Sequence, residues 1–580
     1  MCKWFSPTRL IDLAARVVLS SIFGNYSDKR EIQAALIDKP ISFDYHLQDE
    51  IWIDYVADVG DGFASTYTVA SLLAKPALRL TNANGTSVET RRGSILVMGG
   101  DEVYPAASRD NYYHHTVGPY QAALPCVSNE NPPHLFALPG NHDWYDGLTS
   151  FLRQFCQQRW IGGWKTQQRT SYFALRLPHG WWLFALDIQL GADIDKPQLD
   201  YFTKIMEASD GMQEGDSVIL ATATPAWVYE AESPQNLQEN INYIEKLIEK
   251  RKAKVKVNVA GDSHHYARYT NADNTRHRIT AGGGGAFMHG THQLPDKLAV
   301  TENSQENPYD LKTCFPGKDI SKKITLGNLF FVFRNPWFCL FLSSFLLFTT
   351  WVAVSTSVGL GMHAQPLLAL SSRAADTNLV HHLWNWFAQI LPYSPATCGL
   401  LLFFIAGLTG FCEPDPDSCI WRSTAKRISI GVTHACLQII LYYLLFYGYL
   451  HLDSTLLQTD AISVWQLLWQ ISLLLAIGAF GCGILLGIYL YLTSCFLNFH
   501  AEAGFSSCRI EDFKNFLRMQ ITKDGRLHIY PVGIERIEKK WQRNRSTKQD
   551  EPQFIPDSGM TIDKLATLID EPIHIGKPHE

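Results

Sequence analysis

Charge is scarce in one long part of this chain. From Pro336 to Asn498, 163 residues, ten side chains are charged, against 96 in the other 417. That scarcity excludes a single soluble globule and still leaves room for a large catalytic domain. An excess of basic residues is also missing: 50 Lys+Arg face 56 Asp+Glu, a net charge of -6. Binding to nucleic acid through neutralised phosphates is therefore not expected. Cysteine pairing is absent too. The twelve cysteines fall singly, seven of them in the charge-poor segment, with no CxxC. Neither a disulfide framework nor a zinc ribbon follows, and the chain suits a reducing compartment.

The N-terminus lacks the unbroken apolar run of a signal peptide. Arg9, Asp12 and Arg16 interrupt it on one helical face, opposite Leu10, Ile11, Ala14, Val17 and Val18. Residues 1–40 thus read as an amphipathic helix region, which either lies in a membrane interface or packs on the protein. The charge-poor segment, 336–498, resolves into four spans, Trp337–Leu360, Tyr393–Phe411, Ile428–Leu450 and Trp465–Leu492. Each reaches the length of about 20 residues that a bilayer requires. Lys318, Lys322, Lys323 and Arg334 precede them, Arg422, Lys426 and Arg427 fill the second loop, and Arg509, Lys514 and Arg518 follow. The first loop has Arg373 alone and the third has no Lys or Arg. The positive-inside rule then puts both termini and the soluble part in the cytoplasm. No Asp, Glu, Lys or Arg lies inside the spans, which argues for an anchor over a transporter. A bacterial inner membrane is favoured over a eukaryotic endomembrane, the alternative.

Residues 41–330 alternate β-like runs with helical stretches, as an α/β domain does. IWIDYVAD, SILVMGGD, HLFALPGN, WWLFALDI, DSVILATA, KVKVNVAGD and HRITAGGGG are runs of this kind. Several end in a polar residue beside glycine, so buried strands deliver side chains to one sheet edge. Four such ends matter: Asp58-Val59-Gly60-Asp61, Gly100-Asp101-Glu102-Val103-Tyr104, Gly140-Asn141-His142-Asp143 and Gly261-Asp262-Ser263-His264-His265. Each alone is an ordinary turn sequence. In this order they resemble the calcineurin-like metallophosphoesterase superfamily, over about 40 to 290.

The resemblance implies a β-sandwich flanked by helices that binds one or two metal ions. Carboxylate and amide oxygens suit hard cations, and a bridged pair activates water for attack at phosphorus. It also implies roles. Asp58 ligates the first metal, Asp101 bridges, Asn141 ligates the second and His264 completes the first. His142 protonates the leaving oxygen or contacts the phosphate, with Asp143 orienting its ring. Gly60 replaces the histidine of DxH, while Tyr104 gives the DxG and GDxxY combination of purple acid phosphatases, whose tyrosinate favours ferric iron. Ala223 stands where a histidine is expected, two before Pro225, and Asp262 replaces the first histidine of GHxH. The second site becomes Asp101, Asn141 and Asp262, so Fe, Mn or Mg is expected over Zn.

Other residues have two readings. Asp61 could replace Asp58. His265, His289 and His292 could line the pocket or be ordinary surface or core histidines. Gly282 to Gly285 could bring amides to a phosphate or form a tight crossing, and lack the GK[ST] of a P-loop. His114 and His115 are undecided, and Trp181 and Trp182 read as core or membrane-facing aromatics. Residues 499–543 read as a small α+β region, a helix and then a hairpin turning near Asp524-Gly525, and 544–580 as a flexible polar tail. The expected function is a membrane-anchored phosphoesterase acting on a phosphomonoester, phosphodiester or pyrophosphate, lipid-linked or nucleotide, through metal-activated hydroxide. Its partners are that substrate and the lipid bilayer, with room for a homo-oligomer. The alternative is a catalytically degenerate fold serving as a membrane sensor or scaffold, as Ala223 suggests.

Overall fold

The computed structural model describes residues 1–23, 29–35, 42–82, 84–127, 131–188, 194–232, 237–302, 305–359, 388, 394–412, 420–452, 463–546 and 548–578. The first loop with Arg373, the third loop with Asp453 and Asp460, Tyr393, and the acidic residues 413, 415 and 417 lie outside them. The chain divides into a sheet unit, Met1–Cys2, Ile11–Lys323 and Arg509–Glu580, and a helical unit, Lys3–Leu10 and Ile324–Cys508.

Among the described residues, the sheet unit holds two nine-stranded sheets. In the first, Ile51–Val56, Ile95–Met98, His134–Ala137 and Trp164–Thr166 run parallel as successive neighbours. In the second, Trp181–Leu186, Ser217–Thr222, Lys254–Ala260 and His277–Ala281 do the same. Parallel strands covered on both faces need apolar residues at consecutive positions, and Ser217–Thr222 is buried throughout. Alternate residues divide between two cores. Ile53, Tyr55 and Val97 meet Leu183, Ile219, Val257 and Ile279 between the sheets. On the outer side of the second sheet, Phe184 and Leu220 pack with Phe202 and Ile244 of the helices Lys196–Glu207 and Leu237–Lys250. The arrangement is a mixed α/β sandwich with helices outside.

The C-terminal residues complete this sandwich. Lys514–Ile521 pairs antiparallel with Ile51–Val56 and with Leu527–Ile534. The hairpin turns where Gly525 adopts φ 83°, as the Asp-Gly pair predicts. The helix, however, is Ala501–Cys508, and the residues just before the hairpin turn, where the sequence predicts a helix, form the strand Lys514–Ile521. Region 499–543, set apart in the sequence reading, thus continues the first sheet. Thr567–Leu568 and Ile573–Ile575, from the polar tail, pair with Leu527–Ile534 as well. Composition alone does not show these pairings, because a short strand can be polar on its outer face.

In the helical unit, Ile420–Leu452 and Val464–Phe496 cover the third and fourth expected spans, while Pro336–Gly359 and Pro395–Gly410 cover most of the first and second, whose Leu360 and Tyr393 lie outside the described residues. Three of them are long and apolar enough to cross a membrane, and Pro395–Gly410 is shorter, at 16 residues. Phe341, Phe403, Trp465 and Trp469 are exposed, as lipid-facing residues are. A Cβ on Gly478 would lie 2.4 Å from Ser343 Oγ, so glycine lets these two helices approach closely. Pro7–Phe23 forms the expected amphipathic helix, with Arg16 Nε 3.0 Å from Asp12 Oδ2.

Candidate metal centre

Three aspartates stand where strands of the two sheets end. Asp58, Asp101 and Asp262 adopt left-handed φ values of 59°, 52° and 64°. Aspartate tolerates this region better than most residues, at a cost on the order of 1 kcal/mol each. The bends turn the carboxylates inward. Asp58 and Asp101 are buried, and Asp262 is half-buried.

Tyr104 sits among them. Its Oη lies 2.9 Å from Asp58 Oδ1, 3.1 Å from Asp101 Oδ2 and 2.9 Å from His264 Nε2. Backbone amides hold the other carboxylate oxygens: Asp262 N donates to Asp58 Oδ2 at 2.8 Å, and His142 N to Asp101 Oδ1 at 2.9 Å. His264 Nδ1 lies 2.7 Å from the Phe287 carbonyl. A carbonyl can only accept, so Nδ1 carries the proton and Nε2 presents its lone pair toward Asp58, 3.6 Å away. That tautomer is the one a metal ligand needs.

Electrostatics agree with the geometry. Burial, then the charges of Asp101 and Asp262, pushes the Asp58 carboxyl well above the usual carboxylate range. Burial, then Asp143 and Asp262, does the same to Asp101. Burial moves Asp262 up to about 6. His264 is pushed well below the usual imidazole range by burial, then by His289 and Lys514. Among the described residues no Lys or Arg forms an ion pair with these three aspartates.

Asn141 opens the short helix Asn141–Trp144; its Oδ1 is buried without a hydrogen-bond partner while Nδ2 donates to Tyr145 Oη at 3.2 Å. An orphaned amide oxygen beside carboxylates fits a hard cation. Among the described residues no three His, Cys, Asp or Glu side chains are grouped as a metal site. The donors that converge here include a tyrosine and an asparagine.

One expectation changes. Asp143 does not orient His142. Its carboxylate accepts the Tyr112 hydroxyl and the amides of Gly140 and Glu102, at 2.8 and 3.2 Å for the amides. The Pro105 carbonyl holds His142 Nδ1 at 2.7 Å, and the ring lies 4.4 Å from that of Tyr104. Burial lowers His142 to about 4, so at neutral pH Nε2 is an acceptor. Asp61, the other carboxylate of the Asp58 motif, accepts Cys2 N at 2.7 Å and Phe287 N at 3.3 Å, whereas Asp58 meets Tyr104.

The remaining residues divide clearly. Gly60 has φ 77°, and a Cβ there would lie 2.5 Å from the Glu102 carbonyl, so the backbone excludes a histidine at this position. The glycine run is a tight crossing: a Cβ on Gly282 would meet Asp58 Oδ2 at 2.4 Å. Its amides are also taken, Gly282 N by His265 O and Gly284 N by Ala57 O. His289 stacks on His264 at 3.8 Å, whereas His292 Nδ1 bonds Ser321 Oγ at 2.9 Å. His265 is buried, and His115 Nδ1 bonds the Tyr104 carbonyl at 2.8 Å. Trp181 and Trp182 are core, bonding Gly525 O and Asp216. Ala223 is buried, and a Cβ on Gly100 would lie 2.7 Å from its Cβ, so it borders the Asp101 loop.

Sequence reasoning missed Glu102, Tyr112, Tyr229 and Lys514. Tyr229 Oη donates to Asp262 Oδ2 at 2.9 Å. Lys514 Nζ donates to the Ala286 carbonyl at 2.6 Å, and burial lowers it to about 8. The buried Glu102 directly follows Asp101, which was the one available signal.

No family model matches this chain. No curated protein matches it either. Among solved structures, GAP50, the anchor in the inner membrane complex of Plasmodium, is similar over 45% of this chain and 78% of that one, at 12% identity and TM-score 0.29. PhoD is similar over 47% of this chain and 63% of that one, at 11% identity and TM-score 0.26. Likeness at this level carries no argument about function.

Proposed function

We propose that this chain is a membrane-anchored, metal-dependent phosphoester hydrolase of the calcineurin-like kind, with Asp58, Asp101, Tyr104 and His264 as its first site and Asn141 and Asp262 beside it. One observation carries the reading: Asp58 and Asp101 are buried and Asp262 half-buried at one point, with no Lys or Arg ion pair among the described residues. Uncompensated buried carboxylates cost several kcal/mol per ion, and a bound cation removes that cost. When bound, such a cation supplies Lewis-acid stabilisation and acidifies water.

The chain's own residues do the rest. Amides of Asp262 and His142 fix the rotation of Asp58 and Asp101, so their other oxygens face Tyr104. The Pro105 carbonyl orients His142, whose Nε2, an acceptor at neutral pH, would need a proton before it could donate to a phosphoryl or leaving oxygen. Substrate is a phosphomonoester, phosphodiester or pyrophosphate, and the helical unit holds the chain in a bilayer with the sheet unit on the cytoplasmic side. Nitrophenyl monoesters and diesters, phospholipids and nucleotides assayed with Mn²⁺, Fe and Mg²⁺ test this. Turnover lost in Asp101→Asn supports it; no turnover of any substrate with any metal sinks it.

A second reading, a degenerate sensor or scaffold, is favoured by Ala223 at the expected histidine position. Elemental analysis separates the two, because two metals per chain contradict the scaffold.

A further inference from the structure

Away from the aspartates, three arginines surround a cavity of about 300 Å³ lined by Arg109, Tyr112, Ser150, Arg153, Gln154 and Arg159. Ser150, Arg153 and Gln154 share one face of the helix Thr149–Phe155 through i, i+3 and i+4 spacing. Arg109 opens the short helix Arg109–Asn111 across the hollow. Among the described residues none of the three guanidinium groups forms an ion pair; Arg159 donates to the neutral Gln157 side chain at 3.0 Å. The nearby Asp146 carboxylate accepts Ser150 N at 3.0 Å.

Like charges gathered at one hollow repel, and a purely structural cluster would interleave them with carboxylates, which this chain has in excess. An anion with several acceptor oxygens relieves the repulsion. The guanidinium fork matches phosphate oxygens two at a time, while Ser150 and Gln154 add neutral donors. We propose that this cavity is a recognition site for a phosphate group, carried either by a free phosphorylated molecule or by a lipid headgroup. It stands whether or not the aspartate centre is catalytic. Its wall also touches that centre's supports: Tyr112 donates to Asp143, whose other oxygen accepts the amides of Gly140 and Glu102.

The test uses the full chain in phosphatidylcholine nanodiscs with EDTA, which silences any phosphate site that depends on metal. Inorganic phosphate and soluble dihexanoyl phosphatidic acid are titrated separately by calorimetry. Saturable binding of either probe is expected, weakening with added salt. Arg153→Gln and Arg159→Gln should each reduce it about tenfold, the scale of one charge-assisted contact. Both arginines are exposed, so the variants should melt with the wild type. Arg-dependent binding of phosphate alone assigns a free ligand, and tighter binding of the lipid assigns a headgroup. No saturable binding of either probe, or binding unchanged in both variants, overturns the proposal.

Discussion

Arg518 and Asp54, 464 positions apart, form a buried ion pair, with Nε 2.7 Å from Oδ1 and Nη2 3.1 Å from Oδ2. The pair joins the strand Lys514–Ile521 to Ile51–Val56, the strand that leads to Asp58. Removing one partner leaves the other charge buried, which costs about 3–5 kcal/mol. Arg518→Ala should therefore lower the stability of the sheet unit by that order in urea unfolding, far more than exposed Arg79→Ala. Equal effects of the two would show that the hairpin is not integral to the sheet.

Tyr104 should matter to metal binding beyond its packing. Tyr104→Phe keeps the ring against His142 and removes the oxygen shared by Asp58, Asp101 and His264. Iron affinity should fall about 10–100-fold, and any visible tyrosinate-to-iron band should vanish while the melting temperature changes little. A band that survives in the variant removes Tyr104 from the centre.

Metal should stabilise the folded chain. At a free concentration 100 times Kd, binding contributes about 2.7 kcal/mol, visible as a rise in melting temperature with Mn²⁺ that EDTA reverses. Asp101→Asn should lose most of this rise, yet melt higher than the wild type without metal, because one repelling carboxylate is gone. A variant that melts lower in EDTA would contradict the account of strained charges.

Asp187 offers a pH-dependent test away from the centre. Burial raises its carboxyl to about 6, although Arg30, Ser171 and Trp144 pull it down. Because the folded pKa exceeds the ordinary value, the folded state holds the proton more tightly. The stabilisation is complete below about pH 4 and is lost as pH rises through about 6, a swing of about 3 kcal/mol. Asp187→Asn should show no such loss, so its advantage over the wild type should grow between pH 4 and 7. A pH-independent difference would refute the shift.

The sequence made the site's inward-facing donors legible because the motifs that carry them each follow an apolar run and contain a glycine. Asp58, Asp101, Tyr104 and His264 meet as their order suggests. Partners supplied from far along the chain were not legible: Lys514 reaches Ala286 across 228 positions, and no local pattern encodes that. Asp143 misled because adjacency to His142 suggested contact, whereas on the short helix Asn141–Trp144 successive residues point apart. The alternation around Lys514–Ile521 identifies a strand poorly, since all but Gln520 are buried, and pairing with Ile51–Val56 depends on the whole sheet.

The pairing of Lys514–Ile521 with Ile51–Val56 also fixes a parity. A chain that leaves the sheet unit after Lys323 and rejoins it at Arg509 must depart and return on one side of any bilayer, and so crosses it an even number of times. Three described helices have the length to cross, and an odd count is incompatible with the hydrogen bonds of the first sheet. Pro395–Gly410, about 24 Å long at 1.5 Å per residue, makes the count even if the bilayer thins locally around it. Lengthening that helix by four leucines should then be tolerated, whereas deleting any single crossing would strand the last strands of the sheet on the wrong face of the membrane.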